Sequence, residues 1–364
     1  MGLEKAGLNF IKTNVRNVKN SLTTKPCARS TMPENTDLLA QNGKPKVSVF
    51  KSLKNRVCEF QDKIKVKILK MGMKMTLGLS TPVLTEYIAK DFNQIKAQLL
   101  KTNLDESILK KIEDCKTPEE IANIIKMVKI EETNKILDVN KALSSNLSVY
   151  EKQKILQKAY KPYNSKMVEL EKALSLPSID PKVVEIESIL KNKYGFEFVS
   201  LKDDYEHAQK VLKACEIMTK NGQPLPKNYI VSNMLNGAGQ NFKSESTVIL
   251  SSSNLDKVIN PKFAKEKAIA KNLYSTDSEL QLIIHEFGHN LQPETISTYE
   301  LPKQFKKVPK AVSKYANSGS PAELWAELFA KIQLAPKTVT KEQRELFEHL
   351  KSLASEERIL SEVV

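Results

Sequence analysis

Apolar residues recur at steps of three and four along most of residues 50–193, a pattern that predicts consecutive amphipathic helices. Threonine followed by proline, at Thr81-Pro82 and Thr117-Pro118, predicts two of their starts, because proline suits the first helical position. Residues 64–79 also alternate lysine with apolar residues, so a strand is an alternative there. We therefore expect an all-helical domain at 50–193. The helices predicted after the ambiguous stretch are Pro82–Leu100, Asp105–Asp114, Pro118–Leu137, Val149–Ala159, Lys166–Leu174 and Pro181–Tyr194.

The pattern changes after Gly195, where short alternating runs predict strands. An amphipathic helix is expected at Asp204–Lys220, and Gly237-Ala-Gly239 indicates a turn. The three predicted strands are Phe196–Ser200, Tyr229–Asn233 and Ser246–Ser251. Strands mixed with helices in this order predict an α+β domain at 194–340, followed by a C-terminal helix at 341–364. If Ser246–Ser251 is the edge of the sheet, an extended peptide can add to it as a further strand.

A length of 364 residues favours more than one domain, and the net charge of +14 is concentrated near the start. Residues 1–80 hold 16 Lys and Arg against 5 Asp and Glu. We expect 1–49 to be a basic, disordered arm and linker that contacts polyanions or an anionic membrane weakly, with packing on the protein itself as the alternative. No motif specific for nucleic acid is present.

No run of 18 apolar residues and no signal-peptide core occur, and the four cysteines form no CxxC pair. These features favour a cytoplasmic protein, or one that is secreted by a non-classical route.

The strongest chemical signal is His285-Glu-Phe-Gly-His289. Residues four apart share one helix face, with Cβ atoms roughly 5–6 Å apart, so both imidazoles can bind one Zn²⁺. Glu286 would point into the same cleft and take a proton from a metal-bound water. Thr276-Asp-Ser-Glu279 predicts a capping box at the start of this helix.

A third ligand must be a glutamate. No histidine occupies the position six residues after His289, no aspartate follows it, and His349 lies in a charged tail where a solvated side chain is expected. The helix containing Ser320-Pro-Ala-Glu-Leu-Trp-Ala-Glu327 offers Glu323 and Glu327, one turn apart. One carboxylate can bind the metal while the other accepts the ring N–H of a ligand histidine. Ser320 to Glu323 also fits a capping box, in which case Glu327 would be the ligand.

These motifs, together with Val312-Ser-Lys-Tyr-Ala316, resemble the zinc endopeptidases of the anthrax lethal factor type, within the gluzincin group. The resemblance covers about residues 195–335 and implies a zincin-like fold. It also implies that Glu323 is the third zinc ligand, with Glu327 behind it, and that Tyr315 supports the oxyanion. One residue more than the family pattern separates Tyr315 from Glu323, and a packing role for this tyrosine is the alternative.

The sequence thus predicts a zinc-dependent endopeptidase acting on a protein or peptide. His285, His289 and Glu323 are the predicted zinc ligands, Glu286 and Tyr315 the predicted catalytic residues, and Glu327 the supporting carboxylate. Two alternatives are a metal hydrolase of non-peptide amides and an inactive zincin-like scaffold whose helical half binds a partner.

Overall fold

The computed structural model describes residues 81–143, 147, 149–232, 239–251, 272–294, 296, 299–318 and 320–363. The predicted basic arm at 1–49 and the start of the predicted helical domain lie outside these residues. The described helices of the first half are α1 (Thr81–Ala89), α2 (Phe92–Leu99), α3 (Glu106–Asp114), α4 (Pro118–Ala142), α5 (Val149–Ala173) and α6 (Pro181–Tyr194).

Local capping explains several of these boundaries. Thr117 and Glu120 form the reciprocal capping box that starts α4 at Pro118, as the sequence predicts. The predicted helix Pro82–Leu100 is instead two helices, because Asp91 interrupts the first and caps α2 by accepting the backbone N–H of Gln94. The two helices expected between 149 and 174 are one, since α5 continues through Pro162.

The second half contains a four-stranded sheet with further helices. Its strands are β1 (Phe198–Ser200), β2 (Asn228–Ser232), β3 (Gly239–Phe242) and β4 (Thr247–Ser251). The helices are α7 (Tyr205–Lys220), α8 (Gln281–Leu291), α9 (Val308–Val312), α10 (Pro321–Leu334) and α11 (Lys341–Val363). Mixed helices and strands confirm the predicted α+β class.

The strand order is β1-β2-β4-β3, with β3 antiparallel to β4 and the other pairs parallel. The condition under which Ser246–Ser251 could accept a peptide is therefore not met: β4 is hydrogen-bonded to a strand on both sides, with Ile249 paired to Ile230 and to Gln240. The edge nearest α8 is β3, whose first residue was expected to lie in a turn. A strand with two partners has no free N–H or C=O row to offer a peptide.

Both faces of this sheet are buried, and each face contacts different helices. Ile230, Ile249 and Phe242 pack with α1–α5 in one core. Tyr229, Val248 and other residues of the opposite face share a second core with α6–α8, α10 and α11. The described residues from Thr81 onward form one compact unit. Helices α1–α5 bury their apolar faces on the sheet itself, so residues on both sides of 193/194 share one of the two cores.

The C-terminal helix packs on α10, with the ring centroids of Trp325 and Phe347 4.8 Å apart. His349, on this helix, was expected to be solvated. It is half-buried instead. Its ring is hydrogen-bonded to the Tyr299 hydroxyl and packs beside Phe305. Within the described part of the chain, no helix combines the length and apolar character needed to cross a membrane.

Removing the side chain of Ile249 tests whether the sheet is shared. This residue is fully buried against α1–α5, so Ile249→Ala should lower the free energy of unfolding by about 2–5 kcal/mol, in one transition for the whole unit. Urea denaturation followed by circular dichroism and by the fluorescence of Trp325, the only tryptophan, measures this.

In the matched variant Ile179→Ala, at a side chain 85% exposed, the change should stay within about 0.5 kcal/mol. Separate transitions for the two signals would show that the helices of the first half fold independently of the sheet.

Candidate metal centre

Helix α8 carries the two histidines, and its apolar residues pack into the core of the second half. Ile283, Ile284 and Phe287 are fully buried, and His285 and Glu286 are only 2% and 6% exposed. The helix begins at Gln281, so the prediction of a capping box at Thr276-Asp-Ser-Glu279 is wrong. The Thr276 hydroxyl donates to the side chain of Gln281 and accepts from the N–H of Ser278, so it does not cap the helix.

Three atoms that could bind a metal ion lie close together between α8 and α10. The Nε2 atoms of His285 and His289 are 3.1 Å apart. The Oε2 atom of Glu323 is 3.2 Å from the first and 3.3 Å from the second. Ligands at 2.0–2.1 Å from a tetrahedral Zn²⁺ are separated by about 3.3 Å, so these atoms fit one face of such a tetrahedron. His285, His289 and Glu323 are thus grouped as the sequence predicts.

The Nδ1 hydrogen bonds of both rings turn their Nε2 atoms toward Glu323 and toward each other. Nδ1 of His285 lies 2.8 Å from Oε1 of Glu327, and Nδ1 of His289 lies 3.0 Å from Oε1 of Gln292. Both acceptors need a proton on Nδ1, so each neutral ring presents a lone pair on Nε2. The Oε2 atom of Glu323 is buried and accepts no hydrogen bond. With both rings neutral, the three atoms that converge here are all electron-rich, and such a group fits a bound cation.

Electrostatics favour positive charge at the same point. Burial alone lowers the pKa of His285, but the Glu323 and Glu327 carboxylates outweigh it and raise this pKa to about 10. Burial raises the pKa of Glu323, and the two imidazoles more than reverse this, so the carboxyl stays ionised. The carboxylates therefore stabilise a cation at this place, whether a proton or a metal ion.

Glu323 and Glu327 have distinct surroundings. Ser320 caps α10 by accepting the backbone N–H of Glu323, while the Glu323 carboxylate faces the histidines. The capping hydrogen bond therefore uses the backbone of Glu323 and leaves its carboxylate available to bind a metal ion. Glu327 is fully buried, and its carboxylate accepts from the Ser275 N–H at 2.6 Å, the Gln281 side chain at 3.0 Å and His285. It lies behind His285, as predicted for the supporting carboxylate.

Close packing of α8 against α10 brings these groups together. The indole N–H of Trp325 donates to the Gly288 carbonyl at 2.8 Å. A Cβ atom at Gly288 would lie 3.0 Å from the Phe329 ring, so only glycine allows this approach without displacement. Because Glu323 and Glu327 lie within one turn of Trp325, the same contact sets both carboxylates against His285.

Glu286 lies against the first residue of the edge strand. A Cβ atom at Gly239 would be 2.4 Å from Oε1 of Glu286, so the carboxylate occupies space that any other residue would fill. The Asn241 side chain also donates to the Glu286 carbonyl at 3.3 Å. Burial raises the pKa of Glu286, and the neighbouring histidines oppose this shift. Sequence reasoning missed the role of Gly239, because a glycine beside a turn carries no signal of what approaches it.

Tyr315 lies at the site, with its ring centroid 5.5 Å from that of His285 and 38% of the residue exposed. Burial of the hydroxyl, followed by the charges of Glu323 and Glu286, raises the pKa of Tyr315, so it keeps its proton at neutral pH. A second tyrosine, Tyr274, packs edge-on against it at 6.0 Å. Tyr274, Ser275 and Gln281 were not predicted, since none belongs to a recognisable motif.

The chain matches no protein-family model, and comparison with curated proteins and with solved structures likewise gives no match.

The choice between Glu323 and Glu327 as ligand can be tested by zinc affinity. Glu323→Gln removes a ligand and should weaken zinc binding by more than about 100-fold, whereas Glu327→Gln removes only a partner of His285 and should weaken it by about 10–100-fold. Competition with a chromophoric chelator measures both dissociation constants. Glu119→Gln, at an exposed residue of α4, is the control and should bind as wild type. A larger loss in Glu327→Gln than in Glu323→Gln would reverse the assignment.

Proposed function

We propose that this chain is a zinc-dependent endopeptidase with a zincin-like arrangement of its edge strand and histidine helix. The observation that carries the proposal is the convergence of two Nε2 atoms and one carboxylate oxygen within 3.3 Å of one another, beside a buried glutamate. His285, His289 and Glu323 would hold the ion. When bound there, Zn²⁺ supplies Lewis acidity toward a carbonyl oxygen and lowers the pKa of a water toward about 7.

Glu286 is the proposed general base. Its carboxylate takes a proton from the attacking water as the water oxygen bonds to the scissile carbonyl carbon. The same carboxyl then gives that proton to the amine nitrogen as the C–N bond breaks, so it ends the cycle ionised. The space left by Gly239 accommodates the Glu286 carboxylate in the position from which it would make both transfers.

Tyr315 and Glu327 have supporting roles in this proposal. The Tyr315 hydroxyl, protonated at neutral pH, donates to the substrate oxygen as negative charge develops on it. Glu327 keeps His285 in the tautomer whose Nε2 faces the ion.

A peptide is favoured as substrate because the edge strand lies beside the base. Strand β3 is bonded to β4 on one side, and no described strand pairs with its other side. An extended peptide that adds to this second side of β3 would place its backbone next to Glu286, because Gly239 lies against that carboxylate. A non-peptide amide would make no use of this edge, and an inactive scaffold would need no buried glutamate between the histidines.

Glu286→Gln separates catalysis from metal binding. This variant should keep bound zinc and lose about 10²–10⁴-fold in kcat/KM, because the amide cannot accept the proton. The measurement is a proteome-derived peptide library, profiled for new cleavage sites with wild type and variant, with zinc content determined for both. Chelator-treated wild type should produce no cleavage, and hydrolysis by Glu286→Gln at the wild-type rate would exclude this base.

Gly239→Ala tests the same role without altering the glutamate. The added methyl group would overlap the Glu286 carboxylate and Leu250, so the base must move. We expect a loss of about 100-fold in kcat with zinc affinity unchanged, because a small displacement of a reacting group is costly. Gln240→Ala on the same strand keeps the space beside Glu286 and is the control. Equal activity of Gly239→Ala and wild type would show that the base does not act from this position.

A further inference from the structure

Residues 272–281, which lead into the first turn of α8, contact both sides of the candidate metal centre. At one end, Asn272 and Leu273 accept the backbone N–H groups of Lys314 and Tyr315, at 2.7 and 3.1 Å. Asn272 has a φ of 47°, in the left-handed region, which asparagine tolerates better than most residues. Tyr274 then packs on the Tyr315 ring. The backbone of this segment therefore sets the position of the proposed oxyanion donor.

The other end of the segment binds Glu327. Ser275 uses its N–H for the Glu327 carboxylate and its hydroxyl for the Glu327 carbonyl, at 2.6 and 2.8 Å. Gln281 donates to the carboxylate at 3.0 Å, and its own oxygen accepts from the Thr276 hydroxyl at 2.7 Å. Gln281 is buried, so its amide has no water to replace these partners.

We propose that residues 272–281 are the positioning element of the site. Through Gln281 and Ser275 they hold Glu327 for the ligand His285, and through Leu273 they hold Tyr315. The metal ligand and the phenol are then coupled through one stretch of backbone. The proposal rests on the zinc peptidase function above, and it assigns Gln281 as a positioning residue that touches neither metal nor substrate.

Metal affinity tests the first half of this proposal. Gln281→Met keeps the length of the side chain but removes the donor, so Glu327 loses one of its partners. Zinc should dissociate about 10–100-fold more readily, as measured by competition with a chromophoric chelator. The matched control is Gln343→Met, at a second buried glutamine, which bonds Lys331 and the Ala311 carbonyl and has no contact with the site. It should lose thermal stability and keep wild-type zinc affinity.

The coupling itself is tested by a double-mutant cycle with Tyr315→Phe at saturating zinc. In the wild-type background, Tyr315→Phe should lower kcat by about 10²–10³-fold. In the Gln281→Met background, the same change should cost clearly less, because the phenol is already displaced. Tyr315→Phe alone should not alter zinc affinity, since the ring is not a ligand.

The outcomes distinguish this proposal from the function on which it rests. A wild-type chain that binds no zinc and cleaves no peptide contradicts the peptidase itself. Unchanged zinc affinity in Gln281→Met, or an equal loss in Gln343→Met, overturns the positioning role while leaving the peptidase intact. An identical cost of Tyr315→Phe in both backgrounds overturns the coupling.

Discussion

The close approach of α8 and α10 is the constraint on which the centre depends. Gly288 presents no side chain to the Phe329 ring, and its carbonyl accepts the indole N–H of Trp325. Because these two contacts fix the position of α10 against α8, Glu323 reaches the histidines and Glu327 reaches the Nδ1 side of His285. A larger interaxial distance would leave both carboxylates out of hydrogen-bonding reach. The packing of α8 on α10 therefore decides which carboxylates reach His285, and the hydrogen bonds around Glu327 act within that frame.

That geometry would be unfavourable without a positive charge. Ionised carboxylates and ring lone pairs that are withdrawn from water cost free energy unless they are paired. Glu327 is compensated by three donors, but the Oε2 atom of Glu323 has none among the described residues. A cation at the centre offsets the repulsion among these atoms. Binding of such an ion to the folded chain alone would also stabilise the fold, because the unfolded chain does not bring Glu323 to the histidines.

Sequence patterns predicted the parts of the site that are local in the chain. The spacing of His285 and His289 on one helix, and of Glu323 and Glu327 on another, follows directly from helical periodicity. Alternation identified β4 as a strand but cannot give the order of strands in a sheet, so its central position was missed. The edge strand itself, Gly-Gln-Asn-Phe, is short and mostly polar and has no recognisable pattern. The helical repeat of residues 81–173 is the same whether those helices cover one another or a sheet, so periodicity alone cannot show that they pack on the sheet.

The helices of the first half help to position the edge strand through the sheet that they share with it. Phe242, the last residue of the edge strand, is buried in the core formed by α1–α5, while Gly239 at the other end lies against Glu286. Asn164 on α5 adds a hydrogen bond to Ser244, just after the strand. An exposed bond of this kind contributes about 1 kcal/mol, less than burial of a phenylalanine ring. The position of the edge strand beside Glu286 thus depends on the helices of the first half, through the core that they share with the sheet.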